Sequence, residues 1–295
     1  MPTAQPGHNA ARDISYSNSA STRAGRAVIR TVENLTGRPR LISMARNYQR
    51  DIGTGRDFWS VLVERYGLGF DVLAGSLADI PRTGPLVVVA NHPFGILDGL
   101  MLGHLLQNAR PDFRIVAHQV FSRASELEDV ILPISFDTTK EAQRINLNTR
   151  KEAISYLSAG GCVGIFPGGT VSTASSPRGV PLDPRWRTFT AKMIAKSGAT
   201  VVPVYFHGAN SRRFQMASHL HITLRMALLI SEFKARVGAH VPIAIGQPIP
   251  PAEIAKHAGD ARGLMNFLRD STYALSPIPV APGALGHEFE AHNAG

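Results

Sequence analysis

The sequence lacks the features that stabilise small secreted domains and those that cross a membrane. Its single cysteine, Cys162, excludes an intramolecular disulfide framework and is typical of a reducing compartment. Cys162 lies inside an apolar run, which favours a buried structural thiol over a nucleophile. No run of about 18 or more apolar residues occurs, so we predict no transmembrane helix. Residues Met1–Thr22 are polar without an apolar core, so we expect no secretory signal.

Acidic residues are outnumbered by basic ones. The chain has 31 Lys and Arg against 22 Asp and Glu, a net charge of +9 and a sequence pI of about 10.1. Such a surface favours anionic partners, namely nucleic acid, anionic lipid headgroups or an acidic carrier protein. The basic residues are scattered, and no helix-turn-helix signature, zinc-finger spacing or aromatic RNA-binding motif accompanies them. We therefore predict no nucleic-acid partner.

Several catalytic motifs are also missing. There is no Gly-x-Ser-x-Gly elbow and no Walker loop, which disfavours a serine hydrolase and a P-loop nucleotide enzyme. His219 and His221 would share a face of a strand but not of a helix. No cysteine or carboxylate cluster accompanies the histidines, so we predict no metal site.

Short apolar runs alternate with helical patterns from Pro85 onward, which predicts an α/β fold with a largely parallel central sheet covered by helices. The predicted strands are Leu86–Ala90, Phe113–Ala117, Val130–Phe136, Cys162–Phe166, Thr200–Phe206 and Val241–Ile245. The predicted helices are Arg26–Leu35, Phe58–Tyr66, Gly99–Leu106, 139–159, Phe189–Lys196 and Leu224–Val237. Pro133, Pro203 and Pro242 suggest edge strands or bulges.

The segment Asn91–Asp98, with the sequence NHPFGILD, follows the first of these strands. Open α/β sheets place their sites at the carboxyl ends of strands. His92 can take a proton from a hydroxyl near neutral pH, and Asp98 can orient the ring and stabilise the imidazolium. The alternative is that His92 caps the following helix and that Asp98 is a solvated helix residue.

Two further loops follow predicted strands. The first, Phe166–Ser172 (FPGGTVS), has glycines that let its backbone approach a ligand, although a plain tight turn also fits it. The second, His207–Phe214 (HGANSRRF), offers two guanidinium groups for a phosphate or a carboxylate.

These three loops, in this order, resemble the motifs of the glycerolipid (lysophospholipid) acyltransferase superfamily, which has an Asn-His-x4-Asp block, a Phe-Pro-Glu-Gly-Thr-Arg-Ser block and a Val-Pro-Val strand. The motif sequence NHPFGILDG is most similar to that of the hemolysin-like subgroup, which includes ornithine-lipid and other aminolipid O-acyltransferases. The segment Trp186–Met193 also resembles this subgroup. The resemblance covers roughly 73–249. It implies a glycerolipid acyltransferase-like fold with His92 as general base and Asp98 as its support.

The resemblance also implies the substrates and partners. A fatty acyl group would move from acyl carrier protein or acyl-CoA to the hydroxyl of a lysolipid, without a metal or redox cofactor. We expect oxyanion donors among the backbone N–H groups of Gly168, Gly169 and Thr170. The other predicted substrate-binding residues are Asn91, Phe94, Gly95, Phe166 and Pro167, with Arg144, Arg150, Asn210 and Arg212 available for a headgroup.

Composition and helical pattern at the two ends, together with this resemblance, give the domain organisation. We predict a disordered tail at 1–24, an N-terminal helical segment at 25–75, an acyltransferase domain at 76–275 and a loose tail at 276–295. The helical segment suits either packing or docking on a membrane, with packing slightly favoured. The expected location is peripheral, on the cytoplasmic face of the inner membrane and in contact with anionic lipid.

The chain departs from the family pattern at two points. The gap between His92 and Asp98 is one residue longer than usual, and Gly95 can absorb the extra residue. Gly168 and Val171 stand where the family has Glu and Arg, which in the glycerol-phosphate branch help to hold a phosphate. A lysolipid with another headgroup, such as a 3-hydroxyacyl amino acid, is therefore favoured. A non-catalytic lipid-binding protein and a thioesterase or lipid hydrolase remain as alternatives.

Overall fold

The computed structural model describes residues 14–17, 20, 22–123, 125–137 and 139–289. Its helices are α1 (Arg23–Thr36), α2 (Arg38–Met44), α3 (Tyr48–Ile52), α4 (Phe58–Arg65), α5 (Ile96–Ala109), α6 (Lys140–Ser158), α7 (Phe189–Ser197), α8 (Arg212–Leu220), α9 (Ile222–Lys234), α10 (Pro251–Ala255) and α11 (Ala261–Tyr273). Its strands are β1 (Gly69–Ala74), β2 (Leu86–Ala90), β3 (Phe113–His118), β4 (Ile131–Ile134), β5 (Cys162–Ile165), β6 (Thr173–Ala174), β7 (Pro181–Leu182), β8 (Thr200–Phe206) and β9 (His240–Ile245).

Seven of the strands form one sheet in the order β1-β9-β8-β2-β5-β3-β4. Every neighbouring pair is parallel except β8 and β9, which are antiparallel. The predicted α/β fold is therefore confirmed, and all six predicted strands occur. The sequence pattern missed β1, because this edge strand is mostly exposed and carries Gly69 and Asp71 instead of a continuous apolar run.

The prolines were predicted to mark edge strands or bulges, and the edge-strand part of that prediction is right for one of the three. Pro133 lies on β4, which is an edge strand, but Pro203 and Pro242 lie on the interior strands β8 and β9. The carbonyl of Pro203 accepts the N–H of Gly246, and that of Pro242 accepts the N–H of His207. The backbone N and C=O groups of one strand residue point toward the same neighbouring strand. The nitrogens of Pro203 and Pro242, which carry no hydrogen, therefore face the junction between β8 and β9, which we call the β8–β9 seam. That seam pairs over only three residues.

Strand β2 is buried on both faces and supports the loop that follows it. Its five residues, Leu86 to Ala90, are all fully buried. Leu86 and Val88 pack in the core formed with α4 and α5, while Val87 and Val89 pack in the core formed with α7 and α11. Each buried valine or leucine stabilises the fold by about 1.5–3 kcal/mol relative to an exposed one. The carboxyl end of β2 is thus a rigid platform.

The ends of the chain contact this core. Helix α1 packs along α9 and buries Ile29 completely, and β1 joins the sheet beside β9, so much of residues 25–75 packs against the rest of the protein. Most of the predicted tail at 1–24 lies outside the described residues. The described part of 276–295 has no helix or strand, yet Gly286 and His287 donate hydrogen bonds to the carbonyls of Asp183 and Thr173. Across the described ranges, no helix has the length and apolar content needed to span a bilayer.

Candidate active site

Three loops meet at the carboxyl edge of three adjacent strands. Strand β2 lies between β8 and β5, and each of the three ends in one of the loops singled out in the sequence. Residues 91–98 follow β2, residues 166–172 follow β5 and residues 207–214 follow β8. The fold therefore brings together the motifs that the sequence separates by up to about a hundred residues.

His92 and Asp98 form a pair within the first loop. His92 Nδ1 lies 2.9 Å from Asp98 Oδ2, and the Asp98 side chain is completely buried. The same carboxylate oxygen accepts the backbone N–H groups of Phe94, at 2.7 Å, and Gly95, at 3.0 Å. Gly95 has a φ of 91°, which a glycine adopts without strain, and it caps α5. The alternative of a solvated Asp98 is wrong.

Two further contacts position His92, one through its ring and one through its backbone. Its ring stacks on Phe166 with centroids 4.3 Å apart and planes at 23°. The carbonyl of His92 accepts the Ser172 N–H at 2.7 Å, which ties the first loop to the second. The side chain keeps 18% of its surface exposed. Because Nδ1 faces Asp98, Nε2 is the ring nitrogen left for a substrate.

Asn91 holds two strand ends together. Its Nδ2 donates to the Phe206 carbonyl at 2.9 Å, and its Oδ1 accepts the Phe206 N–H at 2.7 Å. The side chain is buried and both ends of its amide are used. Asn91 was predicted to bind substrate, but the structure gives it a positioning role between β2 and β8.

A buried carboxylate that the sequence did not reveal lies directly beneath the site. Asp183 is fully buried and accepts the His92 N–H at 3.1 Å, the indole N–H of Trp186 at 2.8 Å and the hydroxyl of Ser172. Burial raises the pKa of Asp183, although these three donors oppose the rise. Asp183 thereby connects the first loop, the glycine loop and Trp186 through hydrogen bonds to a single carboxylate.

The glycine loop is folded as a tight turn. The Gly169 N–H donates to the Phe166 carbonyl at 3.0 Å, so it is not available as an oxyanion donor, contrary to the prediction. The Gly168 and Thr170 N–H groups remain as candidates. A Cβ atom at Gly168 would lie 3.3 Å from the Asp183 carboxylate. Gly168, which stands where the family motif has a glutamate, is therefore next to the carboxylate of Asp183.

Arg225 on α9 supports this loop from behind. The guanidinium donates to the Val171 carbonyl at 2.7 Å and to the Thr170 hydroxyl at 3.2 Å, and also to Thr173 and Ser218. Burial lowers its pKa to about 9, and no carboxylate of the described chain lies within ion-pair distance of it. Single-sequence patterns gave no sign of this role, because Arg225 is remote from the loop in sequence.

The predicted headgroup arginines do not converge. Arg144 is exposed on α6 and pairs with Glu141, and Arg150 lies near the Phe189 ring between α6 and α7. Arg212 begins α8, beyond the loop that follows β8, and donates to the Gly179 carbonyl at 3.0 Å. Arg187, which the sequence analysis did not single out, lies beside the glycine loop, and its Nε would be 3.0 Å from a Cβ atom at Gly169.

The remaining predicted residues have mixed positions. Phe94 is buried beneath the Arg236 guanidinium, 4.2 Å from its ring centroid, so it shapes the loop rather than facing solvent. The Pro167 carbonyl accepts the Arg187 N–H at 2.9 Å. Asn210 is buried, and neither end of its amide has a hydrogen-bond partner within the described structure. No three potential metal ligands cluster among the residues described.

The chain is similar to several known proteins. Residues 52–278 match the model of a family described as Acyltransferase. A lyso-glycine lipid O-acyltransferase of Phocaeicola vulgatus is 27% identical over 207 residues, covering 68% of this chain and 71% of the relative. A lyso-glycine lipid O-acyltransferase of Bacteroides thetaiotaomicron is 26% identical over 229 residues, covering 75% and 80%. The crystal structure of a 1-acyl-sn-glycerophosphate acyltransferase from Thermotoga maritima aligns with a TM-score of 0.45 and 15% identity, over 88% of this chain and 85% of that one.

Proposed function

This chain belongs to the family described as Acyltransferase, and from that membership we propose that it moves a fatty acyl group from a thioester to the hydroxyl of a lysolipid. The observation that carries the proposal is the pairing of His92 with the buried Asp98 at 2.9 Å, on the loop that the family uses for catalysis. The two curated relatives act, by their names, on a lyso-glycine lipid. We infer an acceptor of that class, a lysolipid with an amino-acid headgroup.

The geometry suggests how the reaction proceeds. His92 Nε2 accepts the proton of the acceptor hydroxyl as its oxygen attacks the thioester carbonyl. The tetrahedral oxyanion that forms accepts hydrogen bonds from the Gly168 and Thr170 N–H groups. When it collapses, the carbon–sulfur bond breaks and the thiolate takes the proton from the imidazolium. Asp98 stabilises the imidazolium between the two proton transfers.

The test of this function is an acyl-transfer assay with purified protein. Acyl carrier protein and CoA thioesters are each combined with lysolipids that differ in headgroup, and products are identified by mass spectrometry. We expect a diacylated product that requires the acceptor. Free fatty acid released without any acceptor would instead indicate a thioesterase, and lipid binding without any product would indicate a non-catalytic protein.

We expect Asp98→Asn to lower kcat by about 100-fold with little change in KM. The asparagine Oδ1 can still accept the Phe94 and Gly95 N–H groups, so the loop is retained while the negative charge beside His92 is lost. Steady-state kinetics measures the effect. The control is the thermal unfolding midpoint, which should stay close to that of the wild type. An unchanged kcat would contradict the proposed support of His92 by Asp98.

We also propose that Arg187 binds the headgroup carboxylate of the acceptor. Its guanidinium lies beside Gly169 and 5.2 Å from the Phe136 ring centroid. Burial lowers the pKa of Arg187, and the charge of Glu288 opposes that effect, although the two side chains do not form an ion pair in the described structure. Family members that hold a phosphate use an arginine at the position of Val171, but Val171 is buried here against Phe214. Arg187 supplies a cation at the same loop from a different part of the chain.

For Arg187→Ala we expect the KM of an amino-acid lysolipid to rise about tenfold, because one charge-assisted hydrogen bond is lost. Arg187→Lys should recover part of the effect. The exposed neighbour Arg185 provides the matched control, since Arg185→Ala removes the same charge two residues away. An acceptor whose headgroup carboxylate is converted to an amide should show no such rise. An equal KM increase for the acid and the amide would argue against carboxylate recognition.

A further inference from the structure

A group of large apolar side chains is exposed around α8 and the start of α9. Its members are Val180 (69% exposed), Met216 (56%), Leu220 (74%), Ile222 (52%) and Leu224 (41%), and we call them the apolar patch. Arg212, Met216 and Leu220 follow one another at one-turn spacing along α8. The loop that contains Val180 is fastened to this helix by the hydrogen bond from Arg212 to the Gly179 carbonyl. Arg212 therefore connects the part of the patch on α8 with the loop that carries Val180.

The charge around the patch is of one sign. Between residues 153 and 231 the sequence has eight Lys or Arg and one acidic residue, Asp183, which is buried beneath the site. Arg178 and Arg212 line a shallow depression together with Met216, and Arg213 is exposed on the same helix. On the neighbouring α1, Glu33 is buried and accepts hydrogen bonds from Ser15 and Tyr16. The described C-terminal segment adds one acid, Glu288, which interacts with Arg187.

The apolar patch lies at the same end of the molecule as the candidate active site. Helix α8 follows the loop at the carboxyl end of β8, and Val180 follows the glycine loop by way of β6. Arg225, one residue beyond Leu224, donates to Thr170 and Val171 in that loop. A planar surface resting on the patch would therefore lie next to the loops that surround His92.

We propose that the apolar patch is the surface by which this protein docks on a bilayer that contains anionic lipid. Methionine, leucine and isoleucine side chains enter the boundary between headgroups and acyl chains, and the surrounding arginines contact lipid phosphates. Exposed apolar residues rimmed by unopposed basic residues fit such a surface better than they fit a second copy of this basic chain. The proposal rests on the proposed function, since a lysolipid acceptor is presented by a membrane.

The test is co-sedimentation with vesicles of phosphatidylcholine alone or with phosphatidylglycerol added. We expect the wild type to bind the anionic vesicles, and the double variant Leu220→Asp, Ile222→Asp to bind them at least tenfold more weakly. The variant Arg178→Glu, Arg213→Glu should show a similar loss on anionic vesicles. Val72→Asp and Ile278→Asp change exposed apolar residues elsewhere and should bind as the wild type does. Equal binding by the patch variants and the wild type would overturn the proposal.

Activity measurements separate this proposal from the proposed function. With a short-chain acceptor that is monomeric in water, the Leu220→Asp, Ile222→Asp variant should keep wild-type activity, whereas with a vesicle-bound acceptor it should lose about tenfold. If the wild type transfers no acyl group under either condition, the proposed function fails. The comparison of vesicle binding between the wild type and the patch variants would still show whether the apolar patch is the docking surface. If the patch variants alter only self-association, measured by light scattering, the surface is an interface between copies instead.

Discussion

Replacing His92 with alanine is expected to lower kcat for acyl transfer by about 1000-fold, which is the largest catalytic effect that the site predicts. In the proposed mechanism the imidazole accepts the hydroxyl proton, and its Nδ1 lies 2.9 Å from Asp98 while the ring stacks on Phe166. Without it, the neutral hydroxyl must attack the thioester while still carrying its proton. The backbone of the loop should survive, because Asp98 still accepts the Phe94 and Gly95 N–H groups.

Single-turnover measurement with a saturating thioester donor isolates the chemical step from product release. His240→Ala is the matched control, since His240 is exposed on β9 and pairs with the equally exposed Asp71. That variant should keep wild-type activity. Comparable thermal unfolding midpoints would show that the variants are folded. More than about a tenth of the wild-type rate in the His92→Ala protein would rule out His92 as the general base.

The largest expected effect on stability comes from Asp183→Ala. The substitution leaves the His92 N–H and the Trp186 indole N–H buried without an acceptor, and each such group costs about 1–3 kcal/mol. The Ser172 hydroxyl can rotate toward another acceptor, so it adds less. We expect the free energy of unfolding to fall by about 3 kcal/mol or more, measured by urea denaturation. Asp270→Ala, at an exposed position on α11, should change it little.

The same carboxyl group should make stability depend on pH. Burial raises the pKa of Asp183 in the folded protein above the value of about 4 that an unfolded aspartate has. Between these two values the folded chain keeps a proton that the unfolded chain releases, so stability falls as pH rises through that window. Asp183→Asn should remove this slope. A wild-type slope that persists unchanged in the asparagine variant would assign the pH dependence to other groups.

The sequence predicted the central strands and the proximity of His92 and Asp98 well, for a physical reason. Strands β2, β5 and β8 are buried on both faces, so they appear as uninterrupted apolar runs. His92 and Asp98 belong to one loop, so a local motif contains both of them. Edge strand β1 is mostly exposed and has no such run.

The supporting residues were not predictable from local patterns. Asp183 contacts His92 across 91 positions of sequence, and Arg225 contacts Val171 across 54. Both contacts exist only once the sheet has brought the loops together. Neither residue type is typical of a buried position, and each is stable there because several hydrogen bonds satisfy it.

The family departures at Gly168 and Val171 have a common structural explanation. A larger residue at Gly168 would crowd the Asp183 carboxylate, and Val171 is part of an apolar cluster with Phe214 and Leu229. The segment that follows β7 contributes Asp183 and Arg187 to the same loop instead. In the proposed function Arg187 supplies a cation beside this loop, so an arginine within the glycine motif is not required for headgroup binding.

The short seam between β8 and β9 divides the sheet into two parts that should differ in their resistance to local opening. One part contains β1 and β9, and the other contains the remaining five strands. The ladder between these strands has three residue pairs, to which the Val201–Ile249 bridge adds one, and two prolines withhold donors from it, whereas β2 pairs with β8 over five residues. Local opening in native proteins begins where backbone hydrogen bonds are fewest. Amide protons of β1 and β9 should therefore exchange with solvent sooner than those of β2, β5 and β8. The histidine lies within the slowly exchanging unit, and partial opening at the other edge leaves its surroundings closed.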